Sequence, residues 1–293
     1  MNLRKKIDEF CNIQSKVRLT SDNTIKAYEV DLGQFVKFME KDVDKITTKD
    51  LRSFLSYLSQ KNISKRSVSR KLSSIRAFFK WLHSSTSMKS NPALLLSSPK
   101  FSKELPDVIM PEEFNSMVES LNENNVQQLR DKLLVTLLYS SGVRSAEALS
   151  IEIDDISFER CEVRVIGKGG VERIAFFSNE TKRLFLKYIR ARGAVDSKYI
   201  FTNSRGGVIS SRFLRLTVEK LAEKSGIDKK VSPHTFRHSF ATLLLSNGVN
   251  LKAIQELLGH ASISSTQIYT HISKEELRRC YLKYGPSFGK GGV

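Results

Sequence analysis

Four side chains within about forty residues point to one kind of chemistry: His234, Arg237, His260 and Tyr269. A phenol ionises near ~10 and is a weak nucleophile at neutral pH. It becomes effective where cations neutralise the anionic group it attacks and a neighbour takes its proton. Two imidazoles, a guanidinium and a phenol suit attack on a phosphodiester, with Tyr269 as nucleophile. His234 and Arg237 are three residues apart, so on a helix both can face one site. His234 is expected to hydrogen-bond the phosphate and is a candidate acceptor for the tyrosine proton, while Arg237 clamps the phosphate. His234 and His238 also stand at a metal-binding spacing. No glutamate follows His234, however, and Arg237 would set a cation beside the metal. No metal is expected, and His238 and His271 are read as structural.

Two further cations lie upstream. Arg144 follows Gly142, a natural stop for the apolar helix before it. A guanidinium there can project into a cleft and grip two phosphate oxygens opposite Arg237. Glu147 would brace the next turn or the arginine itself. Lys168 sits in Ile166-Gly-Lys-Gly-Gly-Val, at the tip of an expected hairpin, where a lysine can reach a ligand. Taken singly, Arg144 and Lys168 read equally well as surface residues, His260 as a helix C-terminal cap, and any one of eight tyrosines as structural.

The surrounding strings change that balance. P-H-T-F-R-H-S-F-A-T, L-L-G-H-A-S-I, T-Q-I-Y-T-H and G-V-R-S-A-E-A-L occur in this order with the upstream arginine string first. Together they resemble the tyrosine recombinases, and within them the Xer-type site-specific recombinases. The first arginine string is a conservative variant, since the family more often shows Thr-Gly and Leu-Arg there. The likeness spans about residues 111–284 and is weaker over the N-terminal third; the last nine residues depart from the short ending common in Xer-type proteins. It implies a catalytic set of Arg144, Lys168, His234, Arg237, His260 and Tyr269. Lys168 would protonate the departing 5′ oxygen, and His260 would contact the scissile phosphate. Tyr269 would form a 3′-phosphotyrosyl link that conserves the energy of the cleaved bond, so no nucleotide cofactor or metal is required. The resemblance also implies double-stranded DNA as substrate and a homo- or hetero-tetramer on two duplexes through a Holliday junction. A recombinase paralogue or a DNA-translocase activator would be a possible partner. Dimer resolution of chromosomes or plasmids and mobile-element integration or excision both fit. The rival readings are a type IB topoisomerase, which lacks strand exchange, and a non-catalytic DNA-binding protein on the same scaffold, which would be expected to have lost the nucleophile or an arginine.

The bulk properties agree with a polyanionic partner. The 293 residues carry a net charge of +17 with pI about 9.8, and an apolar share of 40% can build packed cores. The absence of a long apolar run or a signal-like start argues against a membrane. Cys11, Cys161 and Cys280 are few, odd and widely spaced, which suits a reducing cytoplasm and a nucleoid location. Residues 1–106 hold 21 Lys/Arg against 10 Asp/Glu, and residues 51–100 contain ten Lys/Arg and no carboxylate.

These side chains need elements to carry them. The expected fold is mainly α with a small β-sheet, as a two-domain C-shaped DNA clamp: a helical, SAM-like core-binding domain over 1–98, a linker over 99–107 within a stretch from Ser84 to Asp107 broken by serines and prolines, and a catalytic domain over 108–293. In the first domain Tyr28, Leu32, Phe35 and Met39 recur at helical spacing, as do Leu51, Phe54, Leu55 and Leu58 behind a Thr47 or Thr48 cap. A third run, Val68, Leu72, Ile75, Phe79 and Leu82, has a basic opposite face. There Lys65, Arg66, Arg70, Lys71 and Arg76 are expected to contact DNA, because no acidic residue in the stripe balances them. In the second domain helices are expected from Pro111, over 131–141, 180–192, 210–225, 234–246 and 251–258, with strands over 161–165 and 173–177. After Tyr269, Leu277, Cys280, Tyr281 and Tyr284 form one apolar helix face. Either the chain's own catalytic domain or a neighbouring protomer must cover it; the resemblance implies the neighbour, so that the tetramer would be joined via this C-terminal helix.

Overall fold

The computed structural model describes residues 1–16, 22–86, 88, 90–99, 107–167, 170–259 and 272–286. The chain divides into two compact units, Met1–Glu104 and Leu105–Val293. Of the expected linker, residues 100–106 lie outside the described residues.

The first unit packs α1 (Leu3–Lys16), α2 (Asp22–Phe38), α3 (Thr48–Gln60) and α4 (Lys65–Ser85) around one apolar core. Phe10, Leu32, Phe35, Phe54, Leu72, Phe78 and Phe79 are fully buried in it. Thr47 caps α3 as its residue type predicts: its hydroxyl accepts from the Asp50 N–H, and its own N–H donates to Asp50 Oδ2 at 2.9 Å. Lys41 and these Thr47 bonds hold the Asp50 carboxyl down to about 2. Helix α1 has no counterpart in the sequence reading. Its Leu3, Ile7, Phe10, Cys11 and Gln14 face inward at helical spacing.

The basic stripe on α4 is divided, which corrects the expectation that all five cations face DNA. The Asp31 carboxylate, from α2, is fully buried and takes Lys71 Nζ at 3.0 Å, Arg70 Nη1 at 2.5 Å and the Ser74 hydroxyl at 2.9 Å. Lys71 is therefore an inward-facing counter-ion. A buried carboxylate requires such compensation. Arg76 bonds the Leu96 carbonyl and Ser98 Oγ. Lys65, Arg66 and the outer half of Arg70 remain exposed.

In the second unit α5 (Pro111–Glu119) begins with proline at its first turn, and Glu113 accepts the Met110 N–H. Helix α6 (Val126–Ser141) is buried nearly all round, as befits the centre of a helical core. It packs between α8 (Asn179–Arg192) and α10 (Pro233–Ser246). The short α7 (Ser145–Leu149) follows it. The sheet is antiparallel in the order β1 (Ile156–Ser157), β2 (Glu162–Ile166), β3 (Glu172–Phe176), with Val165 opposite Arg173. Helices α9 (Ser211–Lys224), α11 (Leu251–Leu258) and α12 (Lys274–Tyr284) complete the unit.

Helix α12 lies on its own unit. Tyr281 is buried with Phe176, Phe240, Leu257 and Leu258, and its hydroxyl donates to the Ser140 carbonyl at 3.0 Å. Leu277, Cys280 and Tyr284 pack partly against the same cluster. Within this single chain the apolar face is covered by its own unit. No described helix is long and apolar enough to cross a membrane.

Candidate active site

The site is built where two helices end. Helix α6 stops at Gly142, whose φ of 63° is the left-handed conformation glycine adopts without strain. Space also demands glycine: a Cβ there would stand 2.5 Å from Phe240 Cδ1 and 2.8 Å from Leu258 Cδ2. Helix α11 stops in the same way at Gly259, with φ again 63°. The last carbonyls of a helix lack intrahelical partners and carry the negative end of its dipole, so cations gather there.

Three arginines use that property at the end of α11. Arg173 Nη1, from β3, donates to the Leu257 carbonyl at 3.0 Å. Arg237 Nη2, from α10, donates to the Leu258 carbonyl at 2.5 Å. Arg144 Nη2, from the N-cap of α7, donates to the Gly259 carbonyl at 3.4 Å. Three consecutive carbonyls thus bring together guanidiniums from three separate elements. Arg237 Nη1 also reaches the Gly142 carbonyl at 2.5 Å, so this one side chain ties both helix ends.

Glu147 offsets the like charges. It is buried and accepts from the Arg144 N–H at 2.8 Å, Arg144 Nη1 at 2.6 Å and Arg173 Nη2 at 2.8 Å. Burial pushes its carboxyl up, but Arg173 and the Arg144 donors more than offset this and hold it below its ordinary value. Burial, aided by Arg144 and Arg173, pushes the Arg237 guanidinium down to about 10 against the opposing pull of Glu147. Arg237 still carries its charge at neutral pH. Burial likewise lowers Arg173, with Glu147 opposing.

Helix α10 starts from a Ser232–Thr235 capping box with Pro233 in the first turn. This fixes its rotation: Phe236 enters the core, Arg237 turns to the helix ends, and His234 is exposed one turn earlier. His238 is half-buried. Lys168, His260 and Tyr269 lie outside the described residues, as does His271. The described neighbours of Lys168 and His260 reach the arginine cluster. A Cβ on Gly167 would stand 3.6 Å from Glu147 Oε1, and the Gly259 carbonyl is the acceptor for Arg144. Of the six expected residues, the structure describes Arg144, His234 and Arg237, and brings the two arginines together.

Arg173 was not singled out by its sequence setting. The signal available was its parity in β3, which it shares with buried Ala175 and, just past the strand, Phe177. A cation on an inward-facing strand position needs a partner.

Two family patterns match this architecture. Residues 107–276 match the Phage integrase family, and residues 7–85 match the Phage integrase N-terminal SAM-like domain. The chain belongs to the phage integrase family and is a tyrosine recombinase. Among curated proteins it is 39% identical over 293 residues to Tyrosine recombinase XerC of Leptospira interrogans serovar copenhageni, covering 97% of this chain and 94% of that protein. It is 34% identical over 291 residues to Tyrosine recombinase XerD of Listeria monocytogenes serotype 4b, covering 96% and 98%. Among solved structures, the Tn1549 transposon integrase in complex with transposon right end DNA shares the fold, with a TM-score of 0.76, 18% identity and coverage of 95% and 98%.

Proposed function

We propose that this chain is a Xer-like site-specific recombinase, acting on the nucleoid, whose phosphate clamp is Arg144 and Arg237. The observation that carries the reading is the pairing of these guanidiniums on the consecutive carbonyls of Leu258 and Gly259. Two fixed cations at one point can neutralise the two non-bridging oxygens of a phosphodiester as charge develops. Tyr269 attacks the phosphorus, forming the P–O bond to the phenol as the bond to the 5′ oxygen breaks. His234 takes the phenolic proton, Lys168 supplies a proton to the 5′ oxygen, and His260 contacts the phosphate. A 5′ hydroxyl from the partner strand reverses these steps and releases the tyrosine. The proposed assembly is four protomers, of one or two kinds, on two duplexes. Lys65, Arg66 and the exposed part of Arg70 are the proposed phosphate contacts of the first unit. Identity to XerC and XerD proteins over nearly the whole chain supports dimer resolution as the biological role, with a second recombinase or a translocase as its regulator.

The test is a nicked suicide duplex carrying the chain's own cleavage site, mapped first by capturing covalent adducts from the host chromosome. Trapped covalent protein and four-way junctions from two intact sites are expected. An adduct without junctions would indicate a topoisomerase, and no adduct would indicate a non-catalytic DNA-binding protein.

A further inference from the structure

We propose that Arg173 is a positioning residue for strand cleavage: by joining Glu147 to the Leu257 carbonyl, it sets the Arg144 guanidinium and ties the β2–β3 hairpin to the end of α11. The proposal rests on Arg144 being a phosphate clamp. Arg173 shares the Glu147 carboxylate with Arg144, one oxygen each for the two guanidiniums, 2.6 Å from Arg144 Nη1 and 2.8 Å from Arg173 Nη2. A carboxylate held from one side only can rotate; held from both, it presents a fixed acceptor to Arg144. The other Arg173 arm reaches Leu257, two residues before the carbonyl that Arg144 uses. The side chain also lies against Gly259, where a Cβ would stand 2.4 Å from Arg173 Cδ. Arg173 thereby shapes both neighbours of Arg144.

Its placement on β3 adds a second consequence. Arg173 is opposite Val165 in the register, and the hairpin strands continue to Ile166 and Glu172. The β2–β3 hairpin is thus bolted to the arginine cluster through this residue, with Gly167 beside Glu147. A stabilising role alone is a weaker account. Buried ion pairs add little over well-packed apolar groups, and Arg173 Nε is buried without a hydrogen-bond partner among the described residues.

The role has a signature in pH. The charged groups facing Glu147 are Arg144 from α7, Arg173 from β3 and Arg237 from α10. The Arg173 charge is the largest single contribution holding the Glu147 carboxyl down against burial, with the Arg144 hydrogen bonds and charge acting in the same direction. Without that charge the carboxyl rises, so protonation reaches Glu147 at higher pH and the brace on Arg144 is lost from the acid side.

The experiment measures cleavage of the nicked suicide duplex from pH 5 to 8 by the full chain, Arg144→Ala, Arg173→Met and Arg173→Lys, with half-site affinity and melting temperature in parallel. Dividing each rate by that of the unmodified protein cancels groups common to both. Arg173→Met is expected to cleave about 10- to 100-fold more slowly at neutral pH, with half-site affinity within about twofold. Its relative rate should fall further as pH drops, by up to about tenfold per unit. Arg173→Lys keeps the charge and is expected to give a pH-independent ratio closer to one. A flat ratio for Arg173→Met, or equal defects in the Lys and Met variants, overturns the proposal. Should Arg173→Met fail to fold, Glu147→Gln replaces it: a comparable slowing with a flat ratio supports the role, and full activity overturns it. If Arg144→Ala cleaves normally, the clamp reading itself has failed; if it is slow while Arg173→Met is not, only the role of Arg173 has.

Discussion

Arg144 and Arg237 donate to adjacent carbonyls, those of Gly259 and Leu258, although 93 residues separate them in the chain. Their guanidiniums are held by backbone, which leaves little side-chain freedom to lose when a phosphate binds. Pre-set donors cost no reorganisation as charge develops, and that is where such groups act most strongly.

Replacing Arg144 with alanine should therefore slow cleavage about 100- to 1000-fold, of order 3–4 kcal/mol in the transition state, while half-site affinity changes little. Single-turnover cleavage and equilibrium binding of the same duplex check this. Arg237→Ala should show the same kinetic loss and a lower melting temperature as well, because it leaves the Gly142 and Leu258 carbonyls without their donor.

Gly142→Ala should unfold at lower urea than Gly226→Ala. Both glycines have positive φ, 63° and 67°, so both variants incur backbone strain of about 1–2 kcal/mol. Only Gly142 also has Phe240 and Leu258 in the way, whereas nothing stands within 4 Å of a Cβ on Gly226. Overpacking adds about 1–3 kcal/mol. Equal losses would contradict the tight apposition of the helix ends.

Within the first unit the cations should separate by function. Lys71→Met removes one of two cations from buried Asp31 and should cost about 1–3 kcal/mol of stability, with the salt dependence of DNA binding unchanged. Lys65→Ala and Arg66→Ala should leave stability nearly intact and flatten the slope of log K against log salt by roughly 0.9 each. Urea titration and binding at several salt concentrations read the two effects independently.

Lys168→Ala should be slow on an ordinary substrate and largely rescued by a 5′-bridging phosphorothiolate, whose sulfur leaves without protonation. Equal defects on both substrates would assign the general acid elsewhere.

Local chemistry made much of this legible. The Thr47 cap, Pro111 at a helix start, Gly142 at a helix end and Glu147 bracing Arg144 all depend on residues close in sequence, and all appear as expected. The readings that failed required distant partners. The α4 stripe seemed unbalanced because its counter-ion, Asp31, is 40 residues before Lys71. Arg173 looked like an ordinary strand residue because Glu147 and Leu257 reach it only through the fold. Helix α1 carried a regular apolar face in a short, highly charged segment, where the charges masked the period. The cover over α12 was open because an apolar stripe states that something packs on it, not what.

The central claim, cleavage by Tyr269 at a phosphate clamped by Arg144 and Arg237, is tested most directly by Tyr269→Phe on the nicked suicide duplex. The ring is kept and the attacking oxygen is removed. The account predicts unchanged half-site affinity and no covalent adduct, with the unmodified protein yielding a DNA-linked peptide that contains Tyr269. A normal phosphotyrosyl adduct in the Tyr269→Phe protein would contradict it.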